Sequence, residues 1–354
     1  MDIRDYLKLA VEKKASDVFI GAKRHIFLKI DGVITPFSEE APDAEAVAQM
    51  ITKLYEMSRR SMKKYNETGD DDFPVSVAGV ARFRVSAYRQ RGTMAAIIRV
   101  VQFGIPKHTE KHIPGEVMGV ATEKNGIVLV TGPAGSGKTT TLACIIDSIN
   151  NSRNCHIVTL EDPIEYLHRD RKSLISQREL ATDTNTYVSA LRSCLRQAPD
   201  IILLGEMRDL ETISTAMTAA ETGHLVLSTL HTSGAVNTIE RIVDVFPPSQ
   251  QQQIRVQLSM VLKSVVSQQL IHDKKGGLIP AFEIAHVNRA IRNLIREFKT
   301  YQINTVIQTS GGEGMISMDQ YIFRLYTGGI ITAESAIGHA ANTEQMVRNI
   351  ENAK

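Results

Sequence analysis

The chain has 354 residues, of which 43% are hydrophobic and 23% charged, and its formal net charge is +2. This composition supplies enough apolar material for two domains, and so small a net charge argues against bulk attraction to nucleic acid. No apolar run approaches the roughly 18 residues of a membrane span, so we expect no membrane insertion. The cysteines Cys144, Cys155 and Cys194 form no CxxC pair, which favours a reducing cytoplasm over disulfides or a zinc site.

The first hundred residues predict a small α/β domain, residues 1–102. Its expected elements are a helix, a strand, a hairpin turn, a long helix and two strands, at residues 3–14, 18–20, 31–32, 43–65, 80–88 and 94–101. Residues 103–116 contain Pro106, Pro114 and mixed charge, which is typical of a linker. We therefore place the domain boundary there.

From residue 117 to 354 the pattern alternates between strand and helix, which predicts an α/β fold with a mainly parallel sheet. The strands are expected at Ile127–Thr131, His156–Leu160, Ile201–Leu204 and Leu225–Leu230. Two crossover helices are expected at Tyr187–Gln197 and Leu210–Glu221. After Pro248 the sequence becomes largely helical, with one further strand at Leu278–Ala285, which predicts a helical C-terminal tail.

A glycine-rich run directly follows the first of these strands. Residues 132–139 read Gly-Pro-Ala-Gly-Ser-Gly-Lys-Thr, a complete GxxxxGK[ST] phosphate-binding loop, and a helical pattern follows it. Main-chain amides in such a loop bind phosphate, the lysine neutralises it and the threonine hydroxyl joins the Mg²⁺ shell. The predicted ligands of ATP are Gly132, Pro133, Ala134, Gly135, Ser136, Gly137, Lys138, Thr139 and Thr140. The sequence therefore predicts that the chain binds ATP with Mg²⁺.

Carboxylates follow two other predicted strands. Glu206 comes after Ile201–Leu204, where it would lie near the Mg²⁺, although a surface glutamate at a strand end is the simpler interpretation. After His156–Leu160 the sequence places Glu161, Asp162 and Glu165 within five positions, and one of them is a candidate for the base that orients the attacking water. Spacing alone does not choose among these three.

Two histidines, His224 and His231, bracket the strand Leu225–Leu230. A lone histidine in such a place usually packs in the core or caps a helix. His231, however, is expected at the same sheet edge as the phosphate loop, where it is also a candidate sensor of the γ-phosphate.

These segments together resemble the hexameric ATPases of type II secretion and type IV pili. The run Thr159–Glu165 resembles the family's aspartate box, Gly205–Asp209 its Walker B region and His224–His231 its histidine box. The resemblance implies a RecA-like ATPase domain with a helical tail after a PAS-like N-terminal domain. It also implies Glu165 as the catalytic base and Glu206 as the Walker B carboxylate.

Ala81-Arg-Phe-Arg-Val resembles a strand from which the family's N-terminal domain directs arginines at a nucleotide. Arg82 and Arg84 lie two residues apart, so on a strand they share one face, opposite Phe83 and Val85. A guanidinium pair at the γ-phosphate would stabilise the transition state. A solvated strand face is the alternative interpretation.

The run Ala290–Glu297, Ala-Ile-Arg-Asn-Leu-Ile-Arg-Glu, is similar to a motif of the pilus retraction ATPases within this family. The sequence also lacks the tetracysteine metal site usual in the assembly ATPases. The resemblance therefore implies a homohexameric motor that acts on an inner-membrane platform protein, at its cytoplasmic face, and indirectly on pilin.

Three alternatives stay open. One is a pilus assembly or type II secretion ATPase, and another is an accessory subunit that binds ATP but hydrolyses it poorly. A helicase has less support, because the sequence has no tryptophan and only 5% aromatic residues for stacking on bases.

Overall fold

The structure is a computed structural model that describes residues 2–30, 32–101, 104–180 and 182–353. The chain divides into two compact units, one of residues 1–104 with 165–167, and one of residues 105–164 with 168–354. Of the expected linker, Phe103 lies outside the described residues, as does Asp31 of the expected hairpin turn. The rest of the linker, from Ile105 onward, is part of the second unit, where the Ile113 side chain is buried.

The described part of the first unit contains three helices and six strands. In chain order they are α1 (Ile3–Glu12), β1 (Asp17–Gly21), β2 (Phe27–Ile30), β3 (Val33–Pro36), α2 (Ala44–Ser58), α3 (Lys63–Thr68), β4 (Asp70–Val77), β5 (Ala81–Gln90) and β6 (Thr93–Val101). The strands form one antiparallel sheet in the order β3-β2-β1-β6-β5-β4. Buried side chains of α1 and α2, such as Leu7 and Ile51, join the core of this unit.

One expectation for this unit was wrong, and one of its strands was not predicted. The helix predicted over residues 43–65 is two helices, because Arg59 adopts a left-handed backbone conformation (φ 53°) that ends α2. The strand β4 was not predicted, because it begins with three aspartates that are typical of a loop. Its pairing with β5 runs from Asp70 to Val77 and buries Phe73 and Val75.

The second unit has the larger sheet and most of the helices. Its elements are α4 (Gly115–Met118), β7 (Gly126–Thr131), α5 (Lys138–Ser152), β8 (His156–Glu161), β9 (Leu174–Glu179), α6 (Tyr187–Cys194), β10 (Ile201–Leu204), α7 (Leu210–Glu221), β11 (Leu225–Leu230), α8 (Ala235–Asp244), α9 (Pro248–Val261), β12 (Leu262–His272), β13 (Leu278–His286), α10 (Arg289–Arg296), α11 (Ile303–Thr309), α12 (Met318–Thr327), α13 (Ala333–His339) and α14 (Thr343–Asn352). Short 3₁₀ helices lie at residues 119–122, 300–302 and 311–313.

The seven strands of this sheet lie in the order β13-β12-β7-β11-β10-β8-β9. All of them are parallel except β13, which pairs antiparallel with β12 at one edge. The central strands β7, β10 and β11 are buried along their whole length, as expected for a parallel sheet covered by helices on both faces. The predicted fold class, α/β with a mainly parallel sheet and a helical C-terminal part, is confirmed.

Two strands of this sheet were not predicted. The run Leu262–His272 was expected to be helical, because no glycine or proline separates it from α9 and it contains several polar residues. Tertiary pairing decides its conformation, since β12 lies between β7 and β13 and is buried by both. The strand β9, at the opposite edge of the sheet, was missed because its sequence Leu-Ile-Ser-Gln-Arg-Glu is mostly polar and shows no alternation. No helix among the described residues is long and apolar enough to cross a bilayer.

Candidate nucleotide-binding site

The buried strand β7 leads directly into the glycine-rich loop at residues 132–137, and α5 begins at Lys138. Gly135 and Gly137 have positive φ angles of 77° and 88°, which side chains with a Cβ rarely adopt. At Gly132 a Cβ would lie 2.1 Å from the carbonyl oxygen of Gln268. The backbone of this loop therefore requires glycine at each of these three positions.

The Lys138 side chain folds back over the loop. It is only 8% exposed, and Nζ donates hydrogen bonds of 2.9 Å to the carbonyl oxygens of Gly132 and Pro133. The buried Ser136 hydroxyl has no hydrogen-bond partner among the described residues. A tightly held cation, an unsatisfied hydroxyl and the amino end of a 15-residue helix in one loop fit a phosphate group.

Thr139 and Thr140 lie in the first turn of α5 and are partly exposed. Beside them is a cavity of about 310 Å³, lined by residues 110–113, Gly137, the first turn of α5 and the β12–β13 pair. Its wall includes the apolar residues Ile113 and Leu270 together with Thr140 and Thr141. This cavity places a partly apolar space next to the phosphate loop.

Glu206 and His231 meet at the carboxyl edge of the sheet because β10 and β11 are parallel neighbours. Oε2 of Glu206 lies 2.6 Å from Nε of Arg208 and 3.6 Å from Nε2 of His231. The His231 side chain is 48% exposed, whereas that of Glu206 is 21% exposed. The structure therefore brings together two of the residues that the sequence selected as catalytic candidates.

The three carboxylates at the end of β8 and just after it have different surroundings. Glu161 is buried and accepts hydrogen bonds from the Thr159 hydroxyl (2.6 Å) and from the Gln177 amide (3.2 Å). Asp162 and Glu165 are exposed. Burial and these two hydrogen bonds give Glu161 a structural role that spacing alone did not reveal.

Glu179 of β9 supports the turn before Glu165. Its side chain is only 5% exposed, and Oε2 accepts a 3.1 Å hydrogen bond from the main-chain N–H of Ile164. A buried carboxylate therefore fixes the residue next to Glu165. No motif in the sequence pointed to Glu179, because its partner lies 15 residues away along the chain.

Tyr187, at the start of α6, was also missed from the sequence. Burial raises the pKa of the phenol above its usual value, and the nearby carboxylates of Asp162, Glu206 and Glu161 raise the pKa further. A Cβ at Gly205 would lie 2.7 Å from the Tyr187 hydroxyl oxygen. The neutral phenol therefore packs against the turn that carries Glu206, and it requires a glycine there.

His224 does not lie with His231. It precedes β11, at the amino edge of the sheet, and its Nδ1 is 2.8 Å from the carbonyl oxygen of Ala219 in the last turns of α7. This is the capping role that the sequence left open for a lone histidine. The two histidines of the motif therefore stand at opposite ends of one strand.

Arg82 and Arg84 both lie on β5 of the first unit and are partly exposed on one face of the sheet. Phe83 and Val85 are completely buried on the other face, as the two-residue alternation predicted. Nη2 of Arg84 lies 3.8 Å from Oδ2 of Asp72 on the neighbouring strand β4.

The motif at residues 290–297 forms α10, which Asn288 caps by accepting a 3.0 Å hydrogen bond from the N–H of Ile291. Ile291 and Ile295 lie four residues apart and are buried, so this helix packs by one apolar face.

Comparison with known proteins identifies the family. The family described as "Type II/IV secretion system protein" matches residues 1–288. The chain belongs to this family. It is 43% identical over 336 residues to the "Type IV pilus retractation ATPase PilT" of Pseudomonas aeruginosa. This alignment covers 95% of this chain and 97% of that protein.

Two further comparisons agree with this result. The chain is 44% identical over 320 residues to the "Twitching motility protein" of Neisseria gonorrhoeae, with 90% of this chain and 85% of that protein covered. A crystal structure of the pilus retraction motor PilT with bound ADP superimposes with a TM-score of 0.92 at 41% identity. That superposition covers 98% of this chain and 99% of the other. The resemblance inferred from the sequence motifs is confirmed.

Proposed function

We propose that this chain is an ATP-hydrolysing motor that powers the retraction of type IV pili and thereby twitching motility. The observation that carries the proposal is the full-length likeness to PilT proteins, one of which is a retraction motor with bound ADP. The phosphate loop and the Glu206–His231 pair at one sheet edge supply the matching chemistry in this chain.

In this proposal the phosphate loop, residues 132–137 with Lys138 to Thr140, holds the triphosphate. The amides of the loop face the phosphates, and Lys138 exchanges its two carbonyl partners for phosphate oxygens. The adenine base would occupy the cavity of about 310 Å³ beside Thr140, where Ile113 and Leu270 offer apolar contacts. A cavity of this size can hold a purine ring and a ribose.

Mg²⁺ usually keeps several waters and takes one or two protein ligands, so the Thr139 hydroxyl and the Glu206 carboxylate suffice to hold it, directly or through water. The bound ion would neutralise charge on the phosphate oxygens. Glu165 would orient the attacking water and accept its proton, and His231 would contact the γ-phosphate. Its 3.6 Å distance from Glu206 would let the imidazole respond to changes at that carboxylate.

We further propose that Arg82 and Arg84 stabilise the charge on the transferring phosphoryl group. Because the two arginines share one face of β5, both guanidinium groups lie on the same side of the sheet. Arg84→Ala should lower kcat by at least about 100-fold if its guanidinium reaches the γ-phosphate. Arg99→Ala is the matched control, because Arg99 lies beside Arg84 on the neighbouring strand but pairs with Asp17 at 3.0 Å. Equal kcat values in the two variants would contradict the role of Arg84.

At the level of the assembly, we propose a homohexamer that works at the cytoplasmic face of the inner membrane. Its partner would be the pilus platform protein, through which it acts on pilin. The helix α10 is the candidate region for this contact, since it buries Ile291 and Ile295 and exposes the side chain of Arg296.

The test is made in the native cell with chromosomal Glu165→Gln, which keeps the size of the side chain and removes the proposed base. We expect more surface pili and no twitching motility, because assembly continues without retraction. Glu221→Gln, at the far end of α7, is the control and should leave both unchanged. A cell without pili would make the chain an assembly motor, and unchanged pili would assign it to another secretion system.

A further inference from the structure

The strand β12 is longer than its neighbour β7. The pairing of β12 with β7 ends at Ser267 opposite Thr131, where the phosphate loop begins. Residues 268–272 continue the strand and pair with β13 alone. The extension of β12 therefore runs alongside the phosphate loop instead of another strand.

Gln268 is the first residue of this extension, and its side chain is committed to the loop. It is 3% exposed. Nε2 donates a 2.7 Å hydrogen bond to the carbonyl oxygen of Ser136, and Oε1 accepts a 2.7 Å hydrogen bond from the Thr141 hydroxyl. One buried amide thus joins the loop to the first turn of α5.

The main chain of Gln268 contacts the other end of the loop. A Cβ at Gly132 would lie 2.1 Å from the Gln268 carbonyl oxygen, and one at Gly137 would lie 2.9 Å from Nε2. The backbone and the side chain of a single residue therefore border both the first and the last glycine of the loop.

These contacts have a consequence for the direction of the loop amides. The peptide between Ser136 and Gly137 is trans, so its C=O and N–H groups point in opposite directions. When the Ser136 carbonyl is held by Gln268 on the β12 side, the Gly137 N–H points away from β12. In a phosphate loop, that is the side on which main-chain donors meet the anion.

We infer that Gln268 is a positioning residue for nucleotide binding, which holds the Ser136–Gly137 peptide and the first turn of α5 so that their amides face the phosphates. The inference rests on the proposed function only in that the ligand is a nucleoside phosphate. Gln268 also lines the cavity proposed for the adenine base, but its amide nitrogen and oxygen bond to Ser136 and Thr141. It acts through the loop, and its effect is on the binding of diphosphate and triphosphate alike.

The test uses the purified full-length chain, with ADP as the probe of binding and ATP for turnover. Gln268→Met keeps the length and volume of the side chain but removes both hydrogen bonds. We expect ADP affinity to fall by about tenfold or more, because a buried carbonyl loses its donor. KM for ATP should rise by a similar factor, with a smaller change in kcat, since the loss is common to ground and transition states.

Gln269→Met is the matched control. Gln269 is the next residue of β12, but its amide donates to the carbonyl oxygen of His339 in α13, at 3.2 Å, and not to the loop. We expect wild-type ADP affinity in this variant. A packing defect in β12 would affect both variants, whereas a loop-specific effect appears only in Gln268→Met.

A second pair of variants changes Thr141, the donor in the hydrogen bond to Gln268. Thr141→Val removes the hydroxyl that donates to Gln268 and keeps the shape, while Thr141→Ser restores a donor. ADP affinity should fall about threefold in the valine variant and return toward wild type in the serine variant. This pair gives the result if Gln268→Met does not fold.

Wild-type ADP affinity in Gln268→Met, or an equal loss in Gln269→Met, would overturn the inference. So would equal affinities in Thr141→Val and Thr141→Ser. These outcomes are separate from failure of the proposed function, which would show as absent ATP turnover by the wild-type chain or normal retraction in cells that lack it. A wild-type chain that does not bind ADP would overturn both.

Discussion

The two edges of the parallel sheet carry similar residues in very different surroundings. At the amino edge, Asp200 accepts a 2.8 Å hydrogen bond from the main-chain N–H of His156, and the His156 ring contacts main-chain carbonyls and the Ser176 hydroxyl. His224 contacts the carbonyl oxygen of Ala219. These side chains join strands to helix ends, which is a structural role.

At the carboxyl edge, the polar groups face one another and the solvent. Glu206 lies between the guanidinium group of Arg208 and the imidazole ring of His231, and the Ser136 hydroxyl has no partner among the described residues. Residue type and spacing alone do not separate the two edges, since a histidine and a carboxylate occur at both. The direction of the strand decides which of them is available for chemistry.

The strongest test of this comparison exchanges a carboxylate for an amide at each edge. Glu206→Gln should lower kcat for ATP by at least about 100-fold, because the carboxylate proposed to hold Mg²⁺ loses its charge. Asp200→Asn keeps an acceptor for His156 and should leave kcat within about twofold of wild type. The measurement is steady-state phosphate release at saturating ATP. Equal losses of kcat in both variants would contradict the distinction between a catalytic carboxyl edge and a structural amino edge.

The two histidines of one motif give the next test. His231→Ala should lower kcat by about tenfold with little change in the melting temperature, because the ring is half exposed and faces Glu206. His224→Ala should change kcat little and lower the stability by about 1 kcal/mol, since α7 loses a hydrogen-bond partner near its carboxyl end. Thermal unfolding and turnover of both variants decide, and a catalytic loss confined to His224→Ala would contradict the assignment.

A third histidine, His168, has neither the proposed catalytic role of His231 nor the capping role of His224. Burial lowers the pKa of its imidazole from 6.5 to about 4. The unfolded chain therefore takes up a proton at a higher pH than the folded one. The stability linked to this group is complete above about pH 6.5 and is lost as the pH falls toward 4.

The expected loss over this range is up to about 3 kcal/mol, from a pKa difference of this size. His168→Gln cannot titrate, so its free energy of unfolding should fall less steeply between pH 6.5 and 4 than that of the wild type. Denaturant unfolding at several pH values measures both slopes. Identical slopes would show that the buried imidazole does not govern this part of the acid response.

The strands that hold the site were predictable because their apolar runs are continuous and their signals are local. The loop at residues 132–139, the strand ends before Glu206 and His231, and the shared face of Arg82 and Arg84 followed from such local patterns. The supports of the site were not predictable. Gln268 is 127 residues from Thr141 along the chain, and its strand β12 is indistinguishable from a helix until β7 and β13 pair with it.

Burial separates Glu161 from the exposed Asp162 and Glu165, a distinction that the sequence did not make. Glu161 is buried and hydrogen-bonded by Thr159 and Gln177, which spacing cannot show. Similarly, the pattern offered a core or capping role for both histidines beside β11 and a catalytic role for His231 as well. The fold places His224 at the amino edge, against Ala219, and His231 at the carboxyl edge, beside Glu206.

Phosphate release from ATP, measured for the purified chain and for Lys138→Ala, shows whether the glycine-rich loop is the site of hydrolysis. We expect turnover by the wild-type chain that stops when EDTA removes Mg²⁺, and none by the variant, because the loop loses the cation that is proposed to meet the phosphates. If turnover persists in Lys138→Ala, hydrolysis arises elsewhere than at the carboxyl edge of this sheet.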